Sequence, residues 1–471
     1  MSLISPVELV EPTAVGAVHF LAIGGSGMSG LAKAYQEAGV PVSGCDNLES
    51  KNLDMLRAGG IDVRVGHDVS HLDGIDTLVV SSAIRNQNVE LVAARSRGLR
   101  VWHRSAALAA LMLGHIGISV AGAHGKSTTS AMTAQMLTQA GADPSYVIGA
   151  RLATSGASAH LGSGKPFVVE ADESDGSFLQ YPTQIAVITN VEADHLDNWG
   201  TEQHYQEGFY TFATGSTVEN IVICIDDHGA RKLAFRLQKE DRKVTTYGFS
   251  EDADVRLKEL DYDGMNSAVQ LSVGSETYRL DLRVPGHHNL LNAAAAFTVG
   301  RLLGLPADDL IKGIHAFTGT LRRFQFIAEC QVPGGVVSIY DDYAHHPTEL
   351  TAALAAARKV NPNGRLVACF QPHLYSRTLD FAKEFGAALA KADVAVITDI
   401  YASREDPVPG VSGELIVEAT KAAGLDEVYY VEDKNKLPSQ LAKLVRSGDL
   451  VMTLGAGDVT IVGPILARAL Q

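Results

Sequence analysis

A glycine-containing turn between an apolar run and a helical segment is the first feature that could do chemistry. Residues 119–132 read SVAGAHGKSTTSAM, and Lys126 with Ser127 matches the end of the phosphate-loop pattern G-x-x-x-x-G-K-[ST]. Val120 stands where the first glycine belongs, so the match is partial. Backbone N–H groups at the helix start would face a phosphate, Lys126 would add charge, and the Ser127 hydroxyl could hold Mg²⁺. We expect nucleotide binding at this turn rather than an ordinary strand-to-helix connection.

Carboxylates crowd the end of the next apolar run. The stretch FVVEADESDGSF at 167–178 contains four of them, Glu170, Asp172, Glu173 and Asp175. Ligands bind at the carboxyl ends of strands in open α/β sheets, and Mg²⁺ prefers oxygen ligands. His195 follows a further strand end, in IAVITNVEADHLD, and we expect it beside Glu173. The sequence therefore predicts a magnesium site, with a solvated acidic loop as the alternative.

A second glycine turn lies near the N-terminus. HFLAIGGSGMSGLAKAY contains Gly25-x-Gly27-x-x-Gly30 after a strand, and Asp46 ends the next strand. This is the dinucleotide fingerprint, so an NAD(P)-dependent dehydrogenase is a rival hypothesis. A single motif of this kind is weak, because Asp46 could equally hold a ribose hydroxyl of a uridine nucleotide.

The last third of the chain carries three polar clusters at predicted strand ends, YDDYAHHP (340–347), FQPHLYSRT (370–378) and TDIYASRED (398–406). Arg377 suits bidentate binding of a carboxylate or phosphate. His345 and His346 could form a zinc pair, but no close third ligand joins them, which disfavours zinc. VPGHHNLLNAAAA (284–296) and GTLRRFQF (319–326) place Asn and Arg groups at a junction between blocks, where clefts commonly form.

The surrounding pattern predicts an α/β protein. Short Val/Ile-rich runs alternate with alanine-rich helical stretches, and 471 residues suggest three domains. A net charge of −15 opposes nucleic-acid and anionic-membrane surfaces. No apolar run is long enough for a membrane span and the N-terminus lacks a basic signal region, so we expect a cytoplasmic protein without membrane insertion. Four scattered cysteines favour reduced thiols packed in cores over a disulfide frame or a zinc site.

Taken together, the motifs resemble the ATP-dependent Mur ligases of peptidoglycan synthesis. The resemblance covers nearly the whole chain through eight ordered motifs: IGGSGMSGLA, AGAHGKSTT, EADESDGSFL, TNVEADHLD, GHHNLLNAAAA, RRF, YDDYAHHPTE and QPHLYSRT. It implies a UDP-binding Rossmann-like domain at 1–110 and a central P-loop-type ATP-binding domain with a mixed sheet at 111–322. A Rossmann-like domain at 323–471 would close the active site.

The resemblance also implies roles for individual residues. ATP would be bound by Gly122, Ala123, His124, Gly125, Lys126, Ser127, Thr128, His288, Asn289, Asn292, Arg323 and Asp342. UDP would be bound by Gly25, Ser26, Gly27, Met28 and Asp46. Magnesium would be held by Ser127, Glu173 and His195. The amino-acid end and the acyl phosphate would be served by His345, His346 and Arg377. The residues implied to be catalytic are Lys126, His195, His345 and Arg377.

The implied reaction joins L-alanine to the carboxylate of UDP-N-acetylmuramate, with ATP and Mg²⁺, through an acyl phosphate. Ala123 and Ser127 depart from the usual GTHGKT, although Ser keeps the hydroxyl, and His287 replaces a commonly basic or polar residue. No Lys lies between His195 and Ile225, where several branches carry a carbamylated one, and this favours the L-alanine branch.

A murein-peptide ligase, which adds a tripeptide to the same nucleotide, is the close alternative, against which Tyr343 argues weakly. A non-enzymatic nucleotide-binding regulator would leave the clustered carboxylates unexplained. We expect a monomer or homodimer.

Overall fold

The computed structural model describes residues 3–403 and 405–471, except for the side chains of Ser26 and Asp197. The chain divides into two compact units. The first contains the residues up to Lys258, Gln270–Leu280 and Leu291–Phe317; the second contains Glu259–Val269, Asp281–Leu290 and Thr318–Gln471.

Three sheets with flanking helices confirm the predicted α/β class, whereas the domain bounds at 110 and 322 stay a prediction. No helix among the described residues is long and apolar enough to cross a bilayer.

The N-terminal sheet is parallel and has the order β3-β2-β1-β4-β5. Its elements are β1 (Val18–Leu21), α1 (Ser26–Glu37), β2 (Val42–Asp46), α2 (Lys51–Ala58), β3 (Asp62–Val65), β4 (Thr77–Val80), α3 (Val89–Ser96), β5 (Arg100–His103) and α4 (Arg104–Leu111). The strand order reverses at β1, which is the switch point where such sheets bind ligands. The first glycine turn follows this strand. Helix α1 begins at Ser26, within the glycine turn itself.

The central sheet is mixed and has the order β15-β14-β13-β12-β11-β10-β6-β9-β7-β8. Its elements are β6 (Ile116–Ala121), α5 (Lys126–Gln139), β7 (Ser145–Val147), β8 (Ala159–His160), β9 (Pro166–Glu170), β10 (Ile185–Ile188), α6 (Leu196–Trp199), α7 (Glu202–Ala213), β11 (Asn220–Cys224), α8 (His228–Lys239), β12 (Val244–Gly248), β13 (Val255–Asp263), β14 (Asn266–Val273), β15 (Glu276–Leu282), α9 (His287–Leu302) and α10 (Ala307–His315). Strand β6 pairs in parallel with β9 on one side and β10 on the other. The phosphate-loop turn, the acidic stretch and the segment leading to His195 therefore leave the same edge of the sheet.

The C-terminal sheet has the order β16-β17-β21-β18-β19-β20. Its elements are β16 (Gln325–Val332), β17 (Gly335–Asp342), α11 (Pro347–Val360), β18 (Leu366–Phe370), α12 (Tyr375–Asp380), α13 (Ala382–Leu389), β19 (Val394–Thr398), α14 (Glu414–Ala422), β20 (Val428–Val431), α15 (Leu437–Leu444), β21 (Leu450–Leu454) and α16 (Val462–Leu470). All pairs are parallel except β16 with β17. Strands β16 and β20 lie at the two edges of this sheet, and most of their side chains are not fully buried.

Helix α5 starts at the phosphate-loop turn and is buried along most of its length. Its polar side chains are satisfied locally, because the hydroxyls of Ser130 and Thr133 donate to backbone carbonyls one turn earlier, those of Lys126 and Thr129. Thr129 instead donates to Asn292 Oδ1 at 3.0 Å. Burial along the helix and the bond from Thr129 to Asn292 hold α5 in place, and with it the direction of its first N–H groups.

An aromatic cluster supports the acidic stretch. Trp199 packs edge-on against Phe178 and Tyr205, and its Nε1 donates to the backbone oxygen of Glu173 at 2.9 Å. Gly208 lies against the Trp199 ring, so that a Cβ there would stand 2.3 Å from ring atom Cη2. The absence of a side chain at residue 208 therefore sets the position of the ring that holds Glu173.

We predict that Gly208→Ala destabilises the protein by about 1–3 kcal/mol, because the added methyl overpacks the aromatic cluster. This reverses the usual effect of Gly→Ala within a helix, a gain of roughly 0.5–1 kcal/mol. Gly215→Ala, just beyond the same helix, is the control, since its Cβ would make only ordinary contacts of 3.4 Å or more. Thermal and denaturant unfolding measure both variants. A Gly208→Ala protein as stable as the parent would contradict the packing argument.

Candidate active site

The turn between β6 and α5 requires glycine at two positions. Gly122 and Gly125 have φ of 138° and 83°, a region that side chains disfavour. A Cβ on Gly122 would lie 2.1 Å from Thr189 Oγ1, and one on Gly125 would lie 3.0 Å from Asn292 Oδ1. The turn therefore combines a special backbone conformation with close approach of neighbouring strands and helices.

The end of β10 holds this turn in place. Asn190 Oδ1 accepts from the His124 N–H at 2.9 Å, and Asn190 Nδ2 donates to the His124 oxygen at 2.8 Å. Thr189 Oγ1 donates to the same oxygen at 2.6 Å. Sequence reasoning did not select Thr189 and Asn190, although both end a strand that it predicted. The backbone of His124 is thus held by contacts within the protein on both sides.

Lys126 folds back across the turn to the acidic stretch. Its Nζ donates to the carbonyl oxygens of Gly122 at 2.6 Å and Ala123 at 3.1 Å. It also lies 3.0 and 2.9 Å from the two carboxylate oxygens of Glu173. Burial opposes the charge, but nearby carboxylates, Glu173 foremost, outweigh it and raise the pKa of Lys126. The lysine is therefore protonated and bridges the two segments that the sequence assigned to phosphate and metal.

The carboxylates of the acidic stretch have different partners. Glu170 accepts from Ser127 Oγ at 2.9 Å and from the Gly149 N–H at 2.8 Å. Asp172 accepts from Arg104 Nη2 at 2.7 Å. Burial disfavours the charge on Asp172, yet Arg104 and Lys126 more than offset it and lower its pKa. Glu170 and Asp172 belong to the predicted acidic cluster, but sequence reasoning did not select them as ligands.

Glu173 is completely buried, and burial raises its pKa to about 7 in spite of Lys126. The neighbourhood contains more carboxylates than cations, with Arg104 and Lys126 facing Glu170, Asp172, Glu173 and Asp175. This excess of oxygen donors and negative charge fits Mg²⁺. Ser127, one of the predicted magnesium ligands, donates its hydroxyl hydrogen bond to Glu170 and not to the predicted ligand Glu173.

His195, the remaining predicted metal ligand, follows β10 on the same edge of the sheet. Its backbone lies in the left-handed region, with φ of 54°, and it precedes α6. Its Nε2 lies 3.5 Å from Asp194 Oδ2. His195 and Glu173 follow β10 and β9, which lie on either side of β6 and do not pair with each other, and their joint role as metal ligands stays a prediction.

A cavity of about 440 Å³ joins the first glycine turn to the acidic strand end. Gly25, Gly27, Met28 and Asp46 line one part of it. Further lining residues come from α4, β9 and the segment after β9: Arg104, Leu108, Glu170 and Asp172. The side chain of Ser26, also predicted to bind UDP, is outside the described residues. The predicted uridine-nucleotide turn and two carboxylates of the acidic stretch therefore line one cavity.

Asp46 also shapes the first glycine turn. Its Oδ2 accepts from the Gly24 N–H at 2.9 Å, and its Oδ1 accepts from the Asn47 N–H at 2.7 Å. Each carboxylate oxygen retains a second lone pair for a ligand. The residue can therefore hold the turn and still accept a ribose hydroxyl.

In the second unit, a charged cluster forms at the end of β17. Asp342 accepts from the N–H groups of Phe324 at 2.7 Å and Ala344 at 2.8 Å, and burial raises its pKa to about 6. His345 Nδ1 lies 3.1 Å from Glu349 Oε2, and Arg323 Nη1 lies 3.8 Å from Glu349 Oε1. Three predicted site residues, Arg323, Asp342 and His345, are thus brought together.

The other predicted residues of the second unit are buried or serve the fold locally. His346 caps α11 by accepting from the Thr348 N–H at 3.4 Å, and Arg377 in α12 is only 7% exposed. Burial lowers the pKa of His288 to about 4, so this imidazole is neutral at physiological pH. Asn289 Nδ2 donates to the Pro285 oxygen at 2.7 Å. Asn292, by contrast, lies in the first unit beside the phosphate-loop turn.

Three family models match the chain in order. The Mur ligase family catalytic domain matches residues 17–115, the Mur ligase middle domain matches residues 120–300, and the Mur ligase glutamate ligase domain matches residues 322–457. Together they account for the three sheets found in the structure.

Full-length relatives agree with these matches. A Cutibacterium acnes protein named UDP-N-acetylmuramate–L-alanine ligase is 59% identical over 100% of this chain and 99% of its own length. The Thermobifida fusca protein of the same name is 47% identical over 100% of both chains. Among solved structures, UDP-N-acetylmuramate-alanine ligase MurC from Thermotoga maritima is 27% identical with a TM-score of 0.81, covering 96% of this chain and 98% of that one. The chain therefore belongs to the Mur ligase family.

Proposed function

We propose that the protein joins the amino group of L-alanine to the carboxylate of UDP-N-acetylmuramate, at the expense of ATP, in peptidoglycan precursor synthesis. The observation that carries the proposal is the 59% identity, over the full chain, to a relative named for this reaction. The cavity that runs from the first glycine turn to the acidic strand end supports it independently, because a nucleotide sugar acid must present its carboxylate next to the ATP phosphates.

The reaction needs activation because a carboxylate oxygen is a poor leaving group. Transfer of the γ-phosphoryl group of ATP to that oxygen releases ADP and gives an acyl phosphate. The amine of L-alanine then attacks the acyl carbon, inorganic phosphate leaves with the C–O bond electrons, and the amine loses a proton. Catalysis of the first step is mainly positioning and neutralisation of charge on the phosphoryl oxygens.

We assign the phosphates to the turn from Gly122 to Thr128. Its backbone N–H groups lie at the start of α5, where anions are stabilised, and its conformation is fixed by Asn190 and Thr189. Lys126 is protonated and already beside the turn, so it needs only to exchange Glu173 for a phosphate oxygen. His288, Asn289, Asn292, Arg323 and Asp342 are assigned to the rest of ATP.

We assign Mg²⁺ to Ser127, Glu173 and His195, and add Glu170 because it contacts Ser127 directly. The ion would neutralise charge on the transferred phosphoryl group. Once Lys126 turns to the phosphates, Glu173 loses its cationic partner, and a second cation at this buried carboxylate offsets the loss. The excess of carboxylates around Arg104 and Lys126 supports the same assignment.

We assign the uridine nucleotide to Gly25, Ser26, Gly27, Met28 and Asp46. The turn lies after β1, at the point where the order of the N-terminal sheet reverses. We assign the L-alanine end and the acyl phosphate to His345, His346 and Arg377, with Arg377 binding the amino-acid carboxylate in bidentate fashion. A cytoplasmic location and a monomeric or homodimeric state stay predictions, and light scattering after gel filtration measures the latter.

A tripeptide acceptor is the close alternative. A solved murein peptide ligase from Psychrobacter arcticus has a TM-score of 0.70 at 24% identity, which reflects a shared fold. The more similar full-length relatives are named for L-alanine and favour the single amino acid. A dehydrogenase would leave the phosphate-loop turn and its lysine without a use.

We predict faster ATP-dependent ligation of UDP-N-acetylmuramate with L-alanine than with L-Ala-γ-D-Glu-diaminopimelate at matched concentrations. Glycine should be a poorer acceptor by only a modest factor, because one methyl group is worth about 1–3 kcal/mol. Release of ADP and mass spectrometry of the product measure the reaction. Faster turnover of the tripeptide would assign the protein to the murein-peptide ligases.

The same assay tests the acceptor residues. Arg377→Lys should raise the KM for L-alanine and leave that for ATP unchanged, since Lys keeps the charge but loses the bidentate geometry. Arg468→Lys, on the exposed side of α16, is the control and should change neither. An unchanged KM for L-alanine in Arg377→Lys would remove this residue from the acceptor site.

We predict that Lys126→Ala lowers ADP release by about 10²-fold or more while the protein stays folded, because the variant loses a preorganised charge stabiliser. Burial already raises the pKa of Glu173 to about 7, so this carboxyl can take a proton when its partner is removed. Lys232→Ala, on the exposed face of α8, is the matched control. Near-normal ADP release by Lys126→Ala would contradict the phosphate assignment.

We predict that Glu173→Gln and His195→Asn each raise the Mg²⁺ concentration for half-maximal activity by about 10-fold or more. Asn is chosen for residue 195 because it tolerates the left-handed backbone found there. Glu219→Gln, an exposed carboxylate of the same sheet region, is the control. Activity measured against Mg²⁺ at saturating ATP decides the matter, and an unshifted curve for both variants would refute the metal assignment.

A further inference from the structure

A second group of metal-binding side chains lies on the N-terminal sheet, apart from the proposed magnesium site. It consists of His19 on β1, Cys45 on β2, His71 in a short 3₁₀ turn and Glu90 on α3. One potential ligand atom from each residue lies within 4.8 Å of all the others. His19, Cys45 and Glu90 are at most 1% exposed. We refer to these four residues as the His/Cys/Glu cluster.

Hydrogen bonding does not account for the arrangement. Glu90 Oε1 is approached by Cys45 Sγ, His67 Nδ1 and His71 Nδ1 at 3.2 Å each, and by the Asp68 N–H at 3.1 Å. Four donors exceed the two lone pairs of one oxygen. The other oxygen, Glu90 Oε2, lies 3.2 Å from His19 Nε2, and both atoms are buried. The side chains are therefore arranged around a common point, and separate hydrogen-bonded pairs do not explain the arrangement.

The orientation of His19 suits a metal ligand. Its Nδ1 lies 2.8 Å from Ser43 Oγ. If Nδ1 carries the proton and donates to this hydroxyl, the Nε2 lone pair faces the cluster. A hydrogen bond that fixes the tautomer and ring orientation of a ligating histidine is the usual outer-shell feature of metal sites.

We propose that the His/Cys/Glu cluster binds one transition-metal ion, Zn²⁺, through His19 Nε2, Cys45 Sγ, His71 Nδ1 and the Glu90 carboxylate. Zinc takes four N, S and O ligands at about 2.0–2.3 Å, which places neighbouring ligand atoms of a tetrahedron about 3.3–3.8 Å apart. The 3.2 Å separations of Glu90 from His19, Cys45 and His71 need only a slight expansion. A thiolate and a carboxylate balance the charge of Zn²⁺, so the buried site is neutral overall.

Binding would release the thiol proton to solvent as the Sγ–Zn bond forms. Because the thiolate, not the thiol, is the ligand, affinity should increase with pH. Entry is possible from the side of His71 and His67, whose side chains are 10% and 15% exposed. His67 Nδ1, 3.3 Å from Cys45 Sγ, is a further donor at this entrance.

The site would differ from the magnesium site in position and chemistry. Consecutive residues of a strand point to opposite faces, so Cys45 faces the cluster while Asp46 faces the nucleotide cavity. Soft sulfur and imidazole ligands select zinc over magnesium. The spacing of the cysteines gave no indication of this, because all four ligands come from different segments and only one is a cysteine.

Cobalt substitution tests the proposal on the intact protein in the absence of ATP, independently of ligase activity. Metal-depleted wild-type protein titrated with Co²⁺ should show tetrahedral d–d bands and a thiolate charge-transfer band that saturate at one equivalent, and Zn²⁺ should abolish both. Metal analysis of the unsubstituted protein should find one Zn²⁺ per chain after dialysis against zinc. Failure of the wild-type protein to bind either ion stoichiometrically would overturn the proposal.

Variants locate the site. Cys45→Ser should lose the charge-transfer band, whereas Cys224→Ser, a buried thiol on the central sheet, should keep it. Ser43→Ala should weaken binding by about 10- to 100-fold, since it removes only the partner that orients His19. His71→Gln provides a second ligand variant. Because His71 is partly exposed, this substitution should disturb folding less than one at a fully buried ligand. A charge-transfer band that survives in Cys45→Ser, or binding unaffected in both His71→Gln and Ser43→Ala, would place the metal elsewhere.

Discussion

The ion pair of Lys126 with Glu173 is the interaction on which the rest of the candidate active site depends. One buried ammonium group ties the phosphate-loop turn to an acidic stretch that carries more negative charge than the nearby cations balance. Without it, Glu173 would be a buried carboxyl group with no cationic partner, which is costly unless the carboxyl takes up a proton. The pair also keeps the lysine next to the turn. Under the proposed assignment of Lys126 to the phosphates, its charge is already next to the turn, which would reduce the reorganisation that binding requires.

Parallel strand geometry brings the partners of this pair together. Strand β6 lies between β9 and β10, so the turn that follows β6 is flanked by the acidic stretch and by Asn190. Asn190 and Thr189 hold the His124 backbone, while the aromatic cluster around Trp199 holds the backbone of Glu173. The two ends of the ion pair are therefore each fixed by a separate set of contacts. Rigid support of this kind would hold Lys126 in the position that the proposed phosphate assignment requires.

The N-terminal sheet shows how one strand can serve two polar regions. Asp46 at the end of β2 holds the first glycine turn and lines the cavity that reaches Glu170 and Asp172. Cys45, one residue earlier, points to the other face and meets Glu90. Arg104 is the first residue of α4, and it forms an ion pair with Asp172, which follows strand β9 of the central sheet. Through these contacts, the nucleotide turn and the acidic strand end form the walls of a single cavity.

The sequence by itself determined the class of fold, the order of the motifs, and the two glycine turns at strand ends. These features depend on local periodicity and on residues such as Gly122 and Gly125, whose backbone conformations other residues disfavour. Tertiary structure alone decided the pairing of Ser127 with Glu170, of Asp172 with Arg104, and of His19 and Cys45 with Glu90. Partners in these pairs are separated by 43, 68, 71 and 45 residues along the chain. Which strand ends become neighbours depends on strand order and register, and neither is encoded in the periodicity of a single segment.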